Sequence, residues 1–159
     1  MPVMVLFFGR WVMKESNIDD FDKTVGLIFA TLYQAFPIRK FIDPQILSPL
    51  VLPNTDGWEE RYHHHKNVFT ATMTWLIDAG YLWASPVRDE RNGTFLECVL
   101  STKGLEILNM PSSLGPSIGS KLGDAVTDTA GETLKDLAKE ALSAGATLAA
   151  GLGRSLLGG

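Results

Sequence analysis

Three consecutive histidines, His63, His64 and His65, are the residues best equipped for chemistry in this 159-residue chain. Imidazoles ligate metals, move protons near neutral pH and, when charged, pair with phosphate. Adjacent residues on a helix point about 100° apart, so the three cannot close on one ion. Glu59 with His63, or Glu60 with His64, has the four-residue spacing that can. Two ligands still fall short of the three or four that zinc sites use. The run reads as a solvated helix start with some capacity for phosphate contact, and no metal is expected.

Cys98 is the one cysteine. It can form neither an intramolecular disulfide nor a cysteine zinc site, and its place mid-strand among apolar residues predicts a buried, inert thiol. No Gly-rich phosphate loop of Walker type, Gly-x-Ser-x-Gly elbow or paired His and Cys is present. We therefore expect a protein that is not an enzyme and carries no cofactor. A lone cysteine also fits a reducing compartment, which makes the cytoplasm the expected location.

The formal charge of -4 and pI near 5.3 argue against a protein that coats nucleic acid non-specifically, because such binding rests on phosphate neutralisation. Sequence-specific binding through a local patch stays open. The 45% apolar content is enough for a core, and the length allows one domain plus an extension.

The elements that would position these residues follow from periodicity. Ser16 to Asp19 matches a capping box, with Asp19, Asp20 and Asp22 at a helix N-terminus. Phe21, Val25, Ile28, Leu32 and Phe36 then give an amphipathic helix that Pro37 ends. Asp43 caps a short helix with Pro44 at its first position. Residues 51–57 are loop by composition. Trp58 to Gly80 is one helix or two, with a buried stripe of Phe69, Thr72 or Met73, Leu76 and Ala79, stopped at Gly80. Tyr81 to Val87 and Thr94 to Ser101 read as strands joined by a turn over Arg88 to Gly93, in which Asn92-Gly93 supplies the positive φ angles. Phe95, Glu97 and Val99 would share one face of the second strand, and Leu96, Cys98 and Leu100 the other. Ser101 or Thr102 caps a further helix, Lys103 to Asn109.

The stretch "LIDAGYLWASPVRDERNGTFLECVLSTKGLEIL" resembles the C-terminal half of winged helix-turn-helix regulators of the multiple-antibiotic-resistance and phenolic-acid-repressor type. Leu76, Gly80, Tyr81, Asp89, Arg91, Leu100, Thr102, Lys103 and Gly104 carry the resemblance, with Ser101 read as an insertion between Leu and Thr. It covers about a third of the chain and speaks to fold more than to any one regulator. It implies a mainly α protein with a small β-hairpin: a winged helix over residues 14–110, a linker over 111–118 and a C-terminal Ala/Gly-rich amphipathic helix over 119–159.

In such a fold the helix ending at Gly80 enters the major groove and the wing straddles the backbone. Arg61, His63, His64, Lys66, Asn67, Thr70 and Thr74 would then face DNA, with Arg88 and Arg91 on the wing. Asn67 has the donor and acceptor pair that reads adenine. Against the cations Arg61, Lys66, Arg88 and Arg91 stand the carboxylates Glu59, Glu60, Asp78, Asp89 and Glu90, so the patch is positive only with protonated histidines. The alternative is a protein-interaction or adaptor module that uses Tyr81 and Trp83 on an exposed strand face.

Both ends of the chain lie outside that unit. Residues 1–13 are apolar, lack the features of a secretory signal and are shorter than the roughly 20 residues a bilayer span needs. They are expected to be either an added edge strand or an upstream extension of the true reading frame, which would start at Met13. In the tail, Ile118, Leu122, Val126, Ala130, Leu134, Leu137, Ala141 and Leu148 fall at helical spacing, with a bend or break at Gly131. Gly115, Gly119 and Gly123 would admit a close neighbour. The tail fits packing on its own domain or on a second copy, with Leu122, Val126, Leu134, Leu137 and Ala141 as a homo-oligomer interface. Membrane contact suits it less, since its lysines are matched by carboxylates and it has no aromatic residue. A flexible or partner-folded end is the third reading.

Overall fold

A computed structural model describes the backbone of residues 3–7, 10–14, 17–51, 58–86, 88–89, 93–113, 115–128 and 130–157, and the side chains of 17–47, 50, 63–86, 93–113, 115–128 and 130–151. The protein is mainly helical with a small antiparallel sheet. Strands β1 (Val3–Phe7) and β2 (Arg10–Lys14) pair with each other in a sheet of their own. The apolar leader is thus a self-paired hairpin and does not add an edge to the main sheet. Ser16, expected to cap the first helix, lies outside the described residues; of the expected loop over 51–57, Val51 instead ends a helix and 52–57 lie outside the described residues.

Helix α1 (Asn17–Ala35) buries the expected Val25, Ile28 and Leu32, but also Leu27, Phe29 and Ala30 around its circumference. Even Asp20, Asp22 and Lys23 are covered. Periodicity marks this helix as amphipathic and half-solvated; it is instead the central helix of the molecule. The cause is the tail. Helix α6 (Gly131–Leu157) lies along the polar side of α1, and α5 (Ile118–Thr127) packs near its C-terminal end. Close approach is possible because Gly26 has no side chain: a Cβ there would sit 2.7 Å from Leu134 Cγ. Each fully buried Ile, Leu or Phe side chain in this core contributes roughly 1.5–3 kcal/mol.

Strand β3 (Lys40–Ile42) is a third strand that three residues of sequence do not announce. Asp43 then caps α2 (Pro44–Val51) as expected, its Oδ1 accepting from the Gln45 N–H at 2.8 Å. Helix α3 (Trp58–Asp78) is continuous and buries Phe69, Thr72, Met73 and Leu76. Gly80, at φ 83, ends it. The next strand is shorter than expected and interrupted, forming β4 (Leu82–Trp83) and β5 (Arg88–Asp89). Both pair antiparallel with β6 (Thr94–Leu100), which also pairs with β3 on its other edge.

The two alternating faces expected for this last strand break at Glu97. Ile42 lies opposite Phe95 while Lys40 lies opposite Cys98, so two steps on β3 match three on β6. That extra residue is a β-bulge, and Glu97 takes it up at φ 52. Phe95 and Cys98 consequently both face the core, whereas Glu97 is exposed.

Ser101 caps α4 (Thr102–Asn109): its Oγ accepts from the Gly104 N–H at 3.1 Å and donates to the Gly80 carbonyl at 2.6 Å. Of the two caps expected, Ser101 and Thr102, it is Ser101 that holds the helix start. Gly104 is required because a Cβ there would collide with the Tyr81 carbonyl oxygen. The expected linker is drawn together by a bridge between Pro111 and Ser117. The tail breaks between Thr127 and Gly131 into α5 and α6, and both join the same apolar core as the preceding elements.

Candidate functional site

The outer face of α3 is built by exclusion. Phe69, Thr72, Met73 and Leu76 point into the core, which turns His63, Asn67, Ala71 and Thr74 to solvent and leaves Lys66 and Thr70 half-buried on the flank. The Thr74 hydroxyl donates to the Thr70 carbonyl at 3.0 Å, so its oxygen keeps acceptor capacity toward solvent. His63, Lys66, Asn67, Thr70 and Thr74 thus share one side of one helix. Arg61 lies on the same helix, but its side chain is outside the described residues, as are those of Arg88 and Arg91.

His64 turns away from that face. Its Nε2 lies 3.5 Å from Oδ2 of Asp20 on α1, a carboxylate that is almost fully buried. A neighbouring seam joins α1 to α6. Lys135 Nζ lies 3.6 Å from Asp19 and 2.9 Å from Glu132, and Lys139 Nζ lies 3.9 Å from Asp22. Hydrogen bonding to Lys135 holds the Glu132 carboxyl below its ordinary range and raises Lys135 in turn. Asp22 Oδ2 is buried without a hydrogen-bond partner, and burial pushes its carboxyl up, with Lys139 opposing and Asp19 reinforcing the shift. Sequence places these aspartates at a helix start, and the return of α6, with α3 beside Asp20, covers them.

The expected protein interface divides. Trp83 is 54% exposed on β4, and Phe41, on the opposite edge strand β3, is 70% exposed. Phe41 had no sequence signal, because β3 itself had none. Tyr81, expected beside Trp83 on an exposed strand face, is only 4% exposed. It precedes the strand and points into the core, edge-on to Phe29 and stacked on Trp75. Leu122, Leu134, Leu137 and Ala141 are also buried in the chain's own core, and Val126 is half-buried against it. The four buried side chains are thus spent on the chain's own core and are not presented as the expected homo-oligomer face. Gly119 and Gly123 likewise serve an internal contact, meeting Tyr33 and Gln34 of α1.

Between those residues lies an open cleft of about 430 Å³, lined by Tyr33, Gln34, Gly119, Ser120, Gly123, Asp124 and Thr127. Its lining offers hydroxyls, an amide and a carboxylate. Burial pushes the Cys98 thiol up to about 11, so at neutral pH it is protonated and a poor nucleophile. Among the described residues, no group of three or more His, Cys, Asp and Glu is arranged to hold a metal ion, and no helix is long and apolar enough to cross a membrane. Comparison with protein families, curated proteins and solved structures finds no match to the chain.

Proposed function

We propose that the protein is a cytoplasmic winged-helix regulator that binds DNA sequence-specifically through the outer face of α3 and the β5–β6 hairpin. The carrying observation is the face of α3. It presents His63, Lys66, Asn67, Thr70 and Thr74 in one row, while the helix is anchored from behind by Phe69, Met73 and Leu76. The element order supports the reading: α1, β3, α2, α3 and then a hairpin whose strand β6 returns beside β3 is the order of a winged helix. Helix α6 packs against α1, α4 and α5, on the side of the molecule that leaves this row uncovered.

In this reading Asn67 reads a base edge, Lys66 and Thr70 meet bases or phosphates, and Arg88 and Arg91 hold the backbone through the wing. His64 serves the α1 contact instead. A dimer, which would let two copies read two half-sites, must associate through a surface other than the tail stripe. A gel shift of random and upstream genomic duplexes at two salt concentrations, with light scattering on the same sample, tests the proposal. Selective binding is expected, with Arg91→Ala lowering the salt slope by about one unit for all sequences. Absence of binding at low salt refutes it.

One observation favours a second reading, a protein-interaction module. Trp83 and Phe41 are large aromatics left exposed on the sheet, and such residues anchor interfaces. Under that reading Trp83→Ala abolishes partner capture and Arg91→Ala does not.

A further inference from the structure

Tyr81 is the point where the tail meets the hairpin. It stands between the end of α3 and the start of β4. Its ring lies 5.8 Å from Phe29 of α1 and 6.0 Å from Trp75 of α3, centroid to centroid, and the Lys103 ammonium of α4 sits 4.2 Å above it. Its carbonyl accepts from the Ser101 N–H at 3.0 Å, which ties the two arms of the hairpin together at their base. The far end of the side chain reaches α6 at Gly145. A Cβ there would press on the Tyr81 hydroxyl and lie 2.8 Å from Cε1.

Gly145 stands inside a 27-residue helix, where glycine is a poor residue on propensity alone. Gly151 of the same helix has nothing within 4 Å of its would-be Cβ. The two positions are alike in helix and unlike in surroundings. Only Gly145 has a neighbour that demands the missing side chain.

We propose that α6 positions the β4–β6 hairpin through the Tyr81 side chain seated against Gly145, so that a displacement of α6 is transmitted to the hairpin. Tyr81 is the positioning residue. Its backbone leads directly into β4 and its phenol ring rests on the tail helix, so the two cannot shift independently. The coupling stands whether the hairpin meets DNA or a protein.

Hydrogen exchange of the full chain, followed by mass spectrometry, tests this with a size swap. Gly145→Ala should speed exchange of the 94–101 peptide roughly tenfold, the scale of an ordinary overpacking strain, while α1 and residues 131–140 keep their protection. Adding Tyr81→Phe removes the hydroxyl, the atom the new methyl strikes hardest, and should restore part of the hairpin's protection, the ring contact at Cε1 remaining. Gly151→Ala should leave the hairpin unchanged. An unchanged hairpin in Gly145→Ala, or equal acceleration of every peptide without rescue by Tyr81→Phe, overturns the proposal. If Gly145→Ala does not fold, Tyr81→Leu, which removes the ring that reaches Gly145, decides: faster exchange at 94–101 with residues 131–140 still protected supports the coupling, and no change at 94–101 overturns it.

Discussion

Asp22→Asn should stabilise the protein at neutral pH. The wild-type carboxylate is 4% exposed, its Oδ2 has no hydrogen-bond partner, and the nearest cation, Lys139 Nζ, is 3.9 Å away on a side chain that is itself half exposed. An unsatisfied buried polar group costs about 1–3 kcal/mol and a charged one more, so what the amide escapes is the excess for the charge, on the order of 1–2 kcal/mol. An ion pair with so exposed a partner returns about 0–1 kcal/mol. The carboxylate is therefore a net cost, and the neutral amide should gain about 1 kcal/mol. That corresponds to a rise in Tm of about 2–4 °C for a chain of this size.

The pH dependence follows from the direction of the Asp22 shift. Burial raises its folded pKa above the unfolded 3.8. The folded state then binds more protons between those two values, so Asp22's contribution to stability is present at low pH and is lost as pH rises through the folded pKa. The advantage of Asp22→Asn should accordingly be full at pH 7 and shrink as the solution is acidified. Urea denaturation followed by far-UV circular dichroism from pH 4 to 7.5, on both proteins, measures it. A variant destabilised by 1 kcal/mol or more at pH 7 would mean that the Lys139 pair outweighs desolvation, and the reasoning fails.

Three further outcomes are expected. Gly104→Ala should destabilise by about 1–3 kcal/mol in urea denaturation, despite alanine's better helix propensity, because the new Cβ meets the Tyr81 backbone carbonyl, which cannot move aside. Glu97→Gly should stabilise by up to about 1 kcal/mol by the same measurement, since φ 52 strains a side-chain-bearing residue and the exposed carboxylate makes no ion pair or hydrogen bond among the described residues. Cys98 should react with a thiol reagent at pH 8 only slowly in the native protein and at once in urea, as its burial and its pKa near 11 require.

Local signals in the chain were legible and long-range ones were not. The Asp43 cap, the Gly80 stop, the Phe69-to-Leu76 stripe and the interruption before Gly131 all depend on neighbours within one turn, and all four appear in the structure. The tail stripe was equally visible, but periodicity names a face without naming what covers it. The partner is α1, whose sequence advertises a solvated side through Asp19, Asp20 and Asp22. Lys135 and Lys139, arriving from more than a hundred residues away, make burial of that side tolerable. Tyr81 was misplaced for a related reason. Alternation continued one residue too far toward the helix turned it outward, whereas the glycines at 104 and 145 draw it in. The bulge at Glu97 cannot be read from composition, because such a φ usually selects glycine.

Within the candidate site, sequence put His63, Lys66, Asn67, Thr70 and Thr74 on one helix, and the structure keeps them on one side of it. His64 has a contact that periodicity does not announce: its side chain is 44% exposed, yet its Nε2 lies 3.5 Å from Asp20 of another helix.

The most direct test of the DNA-binding reading is fluorescence anisotropy with a selected duplex across a series of salt concentrations, comparing wild type, Lys66→Ala and Asn67→Ala. Lys66→Ala should lower the salt slope by about one unit for every sequence. Asn67→Ala should keep the slope and lose about 1–3 kcal/mol of discrimination at a single base pair. Binding that neither substitution alters would contradict the assignment of the α3 face as the DNA-reading surface.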